Sequence, residues 1–139
     1  MLFKNILSTD AYKLLKETSN ASLIDVRSIN EWINVGLPDL LSLNKKTYLI
    51  EWPLFITKLF LKDFKEKINL TFKNDQVLIF ICRSGYRSSI ASQIACEVNF
   101  LRVYNVRDGY EGSNINEKGW LESNLPTNPL NQASFIKLL

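Results

Sequence analysis

The stretch Phe80-Ile81-Cys82-Arg83-Ser84-Gly85-Tyr86-Arg87-Ser88 holds the residues of this chain best suited to chemistry. A nearly continuous apolar run ends at a cysteine, two arginines follow, and a segment of helical spacing begins. The thiolate is the reactive form of cysteine, and nearby cations and helix N-termini favour it. Arg83 is adjacent to Cys82, and Arg87 lies five positions on. A helix beginning near Tyr86 aims its free N–H groups and the positive end of its dipole back at the loop. Gly85 lets the backbone curl so that successive N–H groups converge. All of these features favour negative charge at one point, whether a thiolate, a persulfide formed on it, or an oxyanion substrate. The plainer alternative is a buried, inert cysteine with solvated arginines. That alternative leaves the clustering of cysteine, glycine and two arginines at a strand end unexplained.

The remaining composition narrows the chemistry further. The chain of 139 residues has no histidine and only two cysteines. The usual general base is therefore missing, and the ligands are too few for most zinc sites, so neither a metal nor another cofactor is expected. Cys96 lies beside Ala95 and Glu97 on a helical stretch and reads as a packing residue rather than a resolving thiol. Two cysteines make no disulfide framework, and free thiols suit a reducing compartment. A net charge of +3, from 17 basic and 14 acidic residues without a dense basic block, gives no reason to expect nucleic acid. It mildly favours small anionic substrates. No apolar stretch approaches the roughly 20 residues that span a bilayer, and Met1-Leu2-Phe3-Lys4-Asn5 does not read as a signal peptide. A cytoplasmic protein without membrane contact is expected.

Alternating apolar runs and helical patterns supply the frame. Strands are expected at 3–7, 22–26, 48–52, 76–81 and 101–106, and helices at 10–18, from Ser28, from Pro53 through 70, and after Cys82. Ser28-Ile29-Asn30-Glu31 is a capping box that starts the second helix. Ile56, Leu59, Phe60, Phe64 and Ile68 share one helical face. Residues 34–47 read as a loop, 115–121 as a short helix and 125–130 as irregular. Trp32, Trp52 and Trp120 are expected in the core. The length suits a single domain over 1–139, with a core of about 3–126 and a C-terminal tail of 127–139. Strands alternating with helices predict an α/β domain with a mainly parallel sheet. In such sheets ligands bind outside the carboxyl ends of the strands, where Cys82 falls.

At this point the chain resembles a known family. Cys82-Arg83-Ser84-Gly85-Tyr86-Arg87-Ser88 is similar to the active-site loop of rhodanese-like sulfurtransferases. Leu23-Ile24-Asp25-Val26-Arg27 followed by Glu31-Trp32 resembles the family's "DVR…E[FYW]" signature. Val103-Tyr104-Asn105-Val106 with Gly109-Tyr110-Glu111-Gly112 resembles "V.NV.GG..G". Gly119-Trp120 with Leu125-Pro126 resembles "GW…GLP". The four segments occur in the family's order and cover nearly the whole chain. The common "GHIPGA" segment is absent. Val35-Gly36-Leu37-Pro38-Asp39 stands there instead, as in a subgroup of bacterial single-domain members, and Asp108-Gly109 replaces the usual Gly-Gly.

The resemblance implies a three-layer fold with a mainly parallel five-stranded sheet and helices on both faces. It also implies a sulfur transfer in two steps, with Cys82 cycling between thiol and persulfide. A small anionic donor such as thiosulfate would load Cys82, and a thiol, cyanide or protein acceptor would unload it. Arg83 and Arg87 would hold the donor's oxygens, and the loop from Arg83 through Ser84, Gly85, Tyr86 and Arg87 to Ser88 would hold the outer sulfur. Asp25 and Arg27 are expected in support, either anchoring the loop or pairing with each other, and Glu31 is expected to serve the capping box. Three other functions compete with this one. A persulfide carrier or docking module would use the same cysteine without rapid turnover. A phosphatase or arsenate reductase of related fold has five residues between cysteine and arginine where this chain has four. A redox sensor would need Cys96 within disulfide reach of Cys82.

Overall fold

The computed structural model describes residues 3–113, 116–130 and 133–138. The chain runs β1 (Lys4–Ile6), α1 (Ser8–Glu17), β2 (Ala21–Asp25), α2 (Ile29–Val35), β3 (Leu37–Pro38), a 3-10 turn (Leu41–Leu43), β4 (Thr47–Leu49) and α3 (Lys58–Thr71). It continues through β5 (Val77–Ile81), α4 (Tyr86–Glu97), β6 (Arg102–Val106), α5 (Gly119–Glu122), β7 (Thr127–Asn128) and β8 (Phe135–Lys137). Six strands form one sheet in the order β1-β6-β5-β2-β4-β8, and every neighbouring pair is parallel. The α/β class and the parallel sheet are as expected.

β5 reads Val-Leu-Ile-Phe-Ile and is buried throughout, because helices cover both of its faces. Side chains alternate across a strand, so its residues divide between two cores. Leu78 and Phe80 join Phe64, Ile68, Ala91 and Ile94 on the α3/α4 side. Val77, Ile79 and Ile81 join Ala11, Leu15 and Trp120 on the α1/α5 side. Cys82 continues the parity of Leu78 and Phe80 and belongs to the first core. Trp32, Trp52 and Trp120 are all buried, as expected.

The sheet has six strands rather than five. β8 pairs with β4 in parallel, and β7 pairs antiparallel with β3. Leu130 and Phe135 pack against a third small core of Trp32, Leu37 and Leu49. The stretch expected to be irregular thus holds β7, and residues of the expected tail complete the edge of the sheet. β8 is three residues long, with two of them exposed, so it carries no strong strand pattern.

Four elements also shift their boundaries. β4 ends at Leu49, and Ile50 and Trp52 hydrogen-bond the carbonyls of Asp25 and Arg27 beyond it. α3 starts at Lys58 rather than Pro53, because the Thr57 side chain accepts the Phe60 N–H and caps it there. Phe64 and Ile68 are buried as predicted, but Leu59 is exposed and Ile56 lies before the helix. α1 begins at Ser8, two residues early, because Ser8 is held by Asp108. The expected helix at 115–121 is realised as α5 (Gly119–Glu122), and Ile115 lies outside the described residues.

Truncation after Pro126 removes β7 and β8 and uncovers the Trp32, Leu37 and Leu49 core. It is expected to lower the thermal unfolding midpoint by about 5 °C or more, read by circular dichroism. An unchanged midpoint would contradict a structural role for the tail.

Candidate active site

Cys82 follows β5 directly and is 1% exposed. Its Sγ accepts the Gly85 N–H at 3.2 Å and lies 3.2 Å from the Ser88 hydroxyl, where either group can donate. Ser88 is fully buried in the first turn of α4. The sulfur thus sits inside a tight loop whose N–H groups belong to a turn and a helix start. Ser84 and Tyr86 are exposed at its mouth.

A second backbone segment holds this loop from behind. The Tyr110 N–H donates to the Cys82 carbonyl at 2.8 Å, and the Glu111 N–H donates to the Arg83 carbonyl at 2.9 Å. The Asn105 amide donates to the Gly85 carbonyl at 3.3 Å. Two glycines permit the approach. Gly85 has φ of +102°, and a Cβ there would run into the Arg107 carbonyl; Gly109 has φ of +63°, and a Cβ there would meet the Arg83 carbonyl. Both are left-handed conformations that side chains disfavour.

Asp108, which replaces a glycine of the expected pattern, anchors that supporting segment. Its carboxylate accepts the Ser8 N–H at 2.8 Å, the Ser8 hydroxyl at 2.9 Å and the Gly119 N–H at 3.1 Å. The starts of α1 and α5 are thereby joined to the turn that backs Cys82. Sequence reasoning treated Asp108 only as a departure, since its partner Ser8 is 100 positions away.

Asp25 and Arg27 form a fully buried pair. Arg27 Nε lies 3.0 Å from both Asp25 oxygens, and Nη2 lies 2.7 Å from Oδ2. Nη2 also donates to the Gly36 carbonyl at 2.8 Å. Burial works against the Arg27 cation, but the Asp25 charge and hydrogen bond raise it above its ordinary value. Among the described residues neither side chain hydrogen-bonds the 83–88 loop. The link is indirect: the Arg27 guanidinium lies 4.1 Å from the centre of the Tyr110 ring, and the Tyr110 backbone holds Cys82. Asp25 and Arg27 thus pair with each other rather than anchoring the loop.

The two loop arginines have partners that the sequence did not suggest. Arg87 makes two parallel bonds to Glu31, at 2.7 and 2.9 Å. Arg83 is 64% exposed in its side chain, with Nε 3.4 Å from Glu111. Glu31 also closes the expected capping box with Ser28. One carboxylate therefore ties the N-terminus of α2 to that of α4. Burial pushes the Glu31 carboxyl up, but the Arg87 hydrogen bond, the Ser28 N–H and the Arg87 charge outweigh it and bring it down to about 2.

Burial raises the Cys96 thiol above its ordinary value. Cys96 is packed in α4, and both cysteines are free. Among the described residues no group of three or more histidine, cysteine or acidic side chains is placed to hold a metal. No helix there is long and apolar enough to cross a membrane.

Against this geometry the comparisons are consistent. The sequence matches the family described as STR4 middle domain over residues 3–133. An uncharacterized protein of Rickettsia prowazekii is 44% identical over 126 residues, covering 91% of this chain and 98% of that one. The chloroplastic rhodanese-like domain-containing protein 4 of Arabidopsis thaliana is 31% identical over 122 residues, 84% of this chain but 24% of the plant protein. Among solved structures, a crystal structure from M. tuberculosis superposes with a TM-score of 0.75 at 31% identity, covering 92% of this chain and 98% of that one.

The Glu31 carboxyl sits below its unfolded value of 4.5, so its contribution to stability is full above that value and is lost as pH falls towards 2. Glu31→Gln is expected to lower the melting temperature at pH 7 by roughly 3–8 °C. The gap should close between about pH 5 and pH 2, as the wild-type carboxyl takes up its proton. Melting curves that stay a constant distance apart across that range would contradict the Arg87–Glu31 clamp.

Proposed function

We propose that this chain, which belongs to the STR4 middle-domain family and is rhodanese-like in fold, transfers sulfane sulfur through a persulfide on Cys82. The observation that carries the reading is the Cys82 sulfur accepting the Gly85 N–H inside the strand–helix loop. A backbone donor there favours negative charge on sulfur without any base, which suits a chain that has no histidine.

In the first step the Cys82 thiolate attacks the outer sulfur of a donor such as thiosulfate. The donor's S–S bond breaks, its electron pair leaves on sulfite, and Cys82 holds a persulfide. In the second step an acceptor thiolate or cyanide attacks the outer persulfide sulfur, and the pair returns to Cys82 Sγ. Electrons balance without an external oxidant, and the loop N–H groups serve the same negative sulfur in both steps. Arg83, whose side chain is mostly exposed, attracts the anionic donor, while Arg87, neutralised by its two bonds to Glu31, steadies the start of the loop helix.

That neutralisation favours a second reading in part. A persulfide carrier that hands sulfur to a partner protein uses the same Cys82 and needs no strong grip on a small dianion. A phosphatase reading finds less support: four residues separate Cys82 from Arg87, and the Ser88 hydroxyl already lies against the sulfur.

Thiocyanate formation from thiosulfate and cyanide is expected in the wild type and is expected to fall by about 10³-fold or more in Cys82→Ser. Slow turnover alongside a stable loaded protein would select the carrier. Hydrolysis of an aryl phosphate without thiocyanate formation would overturn both.

A further inference from the structure

Beside the Cys82 loop opens a cleft of about 900 Å³. Tyr86 and Arg87, the first two residues of α4, form one wall. Trp52, Pro53, Leu54, Phe55, Ile56 and Ile90 supply most of the rest. Leu54 is 96% exposed and Phe55 80% exposed, so two large apolar side chains stand in water at the edge of the reactive loop. Single exposed apolar residues are ordinary, but a contiguous set at a concave site marks a binding surface. Pockets of roughly 300–1,000 Å³ with apolar walls and few polar groups are the size that buries drug-sized organic ligands. An inorganic sulfur donor of about five heavy atoms would leave most of such a space in contact with water.

The charges bordering the cleft sharpen the choice. Arg87 is bound by Glu31 through two hydrogen bonds. Glu51 adds a second carboxylate, which accepts the Ile29 N–H at 3.0 Å. Two carboxylates against one guanidinium leave one net negative charge, which repels an anionic occupant and accepts a neutral one.

We propose that this cleft seats the sulfur acceptor, and that the acceptor is an organic thiol with an apolar, uncharged body rather than an inorganic or acidic thiol. The inference rests on the sulfur-transfer reading for its chemistry. The thiol lies with its body against Trp52, Phe55 and Ile90 and its sulfur towards Tyr86 and Arg87. In the transfer, the bound thiol gives its proton to solvent as its sulfur forms a bond to the outer persulfide sulfur of Cys82, and it leaves as the acceptor persulfide. The persulfide S–S bond breaks, and its electron pair returns to Cys82 Sγ.

The test titrates the full, reduced chain, labelled with nitrogen-15, with 2-phenylethanethiol. Controls are 2-mercaptoethanol, which lacks the apolar body, and 2-mercaptoethanesulfonate, which carries a negative charge. Saturable shifts of the Leu54, Phe55 and Tyr86 amides are expected, with a Kd at least tenfold lower for the aromatic thiol than for either control. The double variant Leu54→Ser/Phe55→Ser changes only exposed positions, and a dispersed spectrum verifies its fold. It is expected to lose at least tenfold in that affinity. Equal affinity for all three thiols, or an unchanged Kd in the variant, would overturn the inference. Shifts of the same amides on simple concentration, with dimer formed in sedimentation, would assign the surface to a second copy and overturn it as well. Because binding is read on the unloaded protein, the result stands whether or not Cys82 accepts sulfur. A protein that binds the thiol but never gains sulfur would retire the transfer reading and leave the cleft's preference in place.

Discussion

The arrangement of this protein depends on two stretches of backbone lying against each other without side chains between them. Residues 83–85 carry the loop around the Cys82 sulfur, and residues 107–111 press on that loop from behind. Gly85 and Gly109 make the approach possible, and the Tyr110 and Glu111 N–H groups convert it into hydrogen bonds to the Cys82 and Arg83 carbonyls. Buried backbone groups must find partners, and here the partners hold the loop whose Gly85 N–H donates to the Cys82 sulfur. Asp108 extends the constraint to the starts of α1 and α5. The parallel sheet contributes by delivering both stretches to the same end: β5 ends at Ile81 and its neighbour β6 ends at Val106.

The electrostatics follow a different plan from that of a simple anion trap. The loop has two arginines, but each faces a carboxylate, so the net charge near the mouth is small. What remains beside the sulfur is one backbone donor, the Gly85 N–H, and the Ser88 hydroxyl. The same carboxylate, Glu31, both caps α2 and clamps Arg87, which couples the wall of the adjoining cleft to the first turn of the loop helix.

Much of this was legible in the sequence where the signal is local. The run Gln76–Ile81 gave a buried strand because its length and continuity exclude an exposed one. Ser28–Glu31 formed its capping box because that motif is complete within four residues. What was not legible depends on distance along the chain. Glu31 and Arg87 are 56 positions apart, and Ser8 and Asp108 are 100 apart, so nothing in spacing pairs them. β8 escaped notice because an edge strand of three residues has no room for a periodic pattern, and Leu59 was misplaced because, at about 100° per residue, it lies about 140° from Phe64 and about 180° from Ile68 and so faces away from their buried side. The partners of Arg83 and Arg87 were hidden for the same reason: composition shows the cations but not the carboxylates that meet them.

The central claim is that the backbone-held sulfur, and not the other cysteine, carries the transferred atom. The most direct measurement is peptide-resolved mass spectrometry of the reduced wild-type chain after brief exposure to thiosulfate or inorganic polysulfide, with persulfides trapped by alkylation. The account predicts a gain of about 32 Da, one sulfur atom, confined to the peptide that contains Cys82 and removed by cyanide. Sulfur on the Cys96 peptide at equal or greater yield, or on neither peptide, would contradict it.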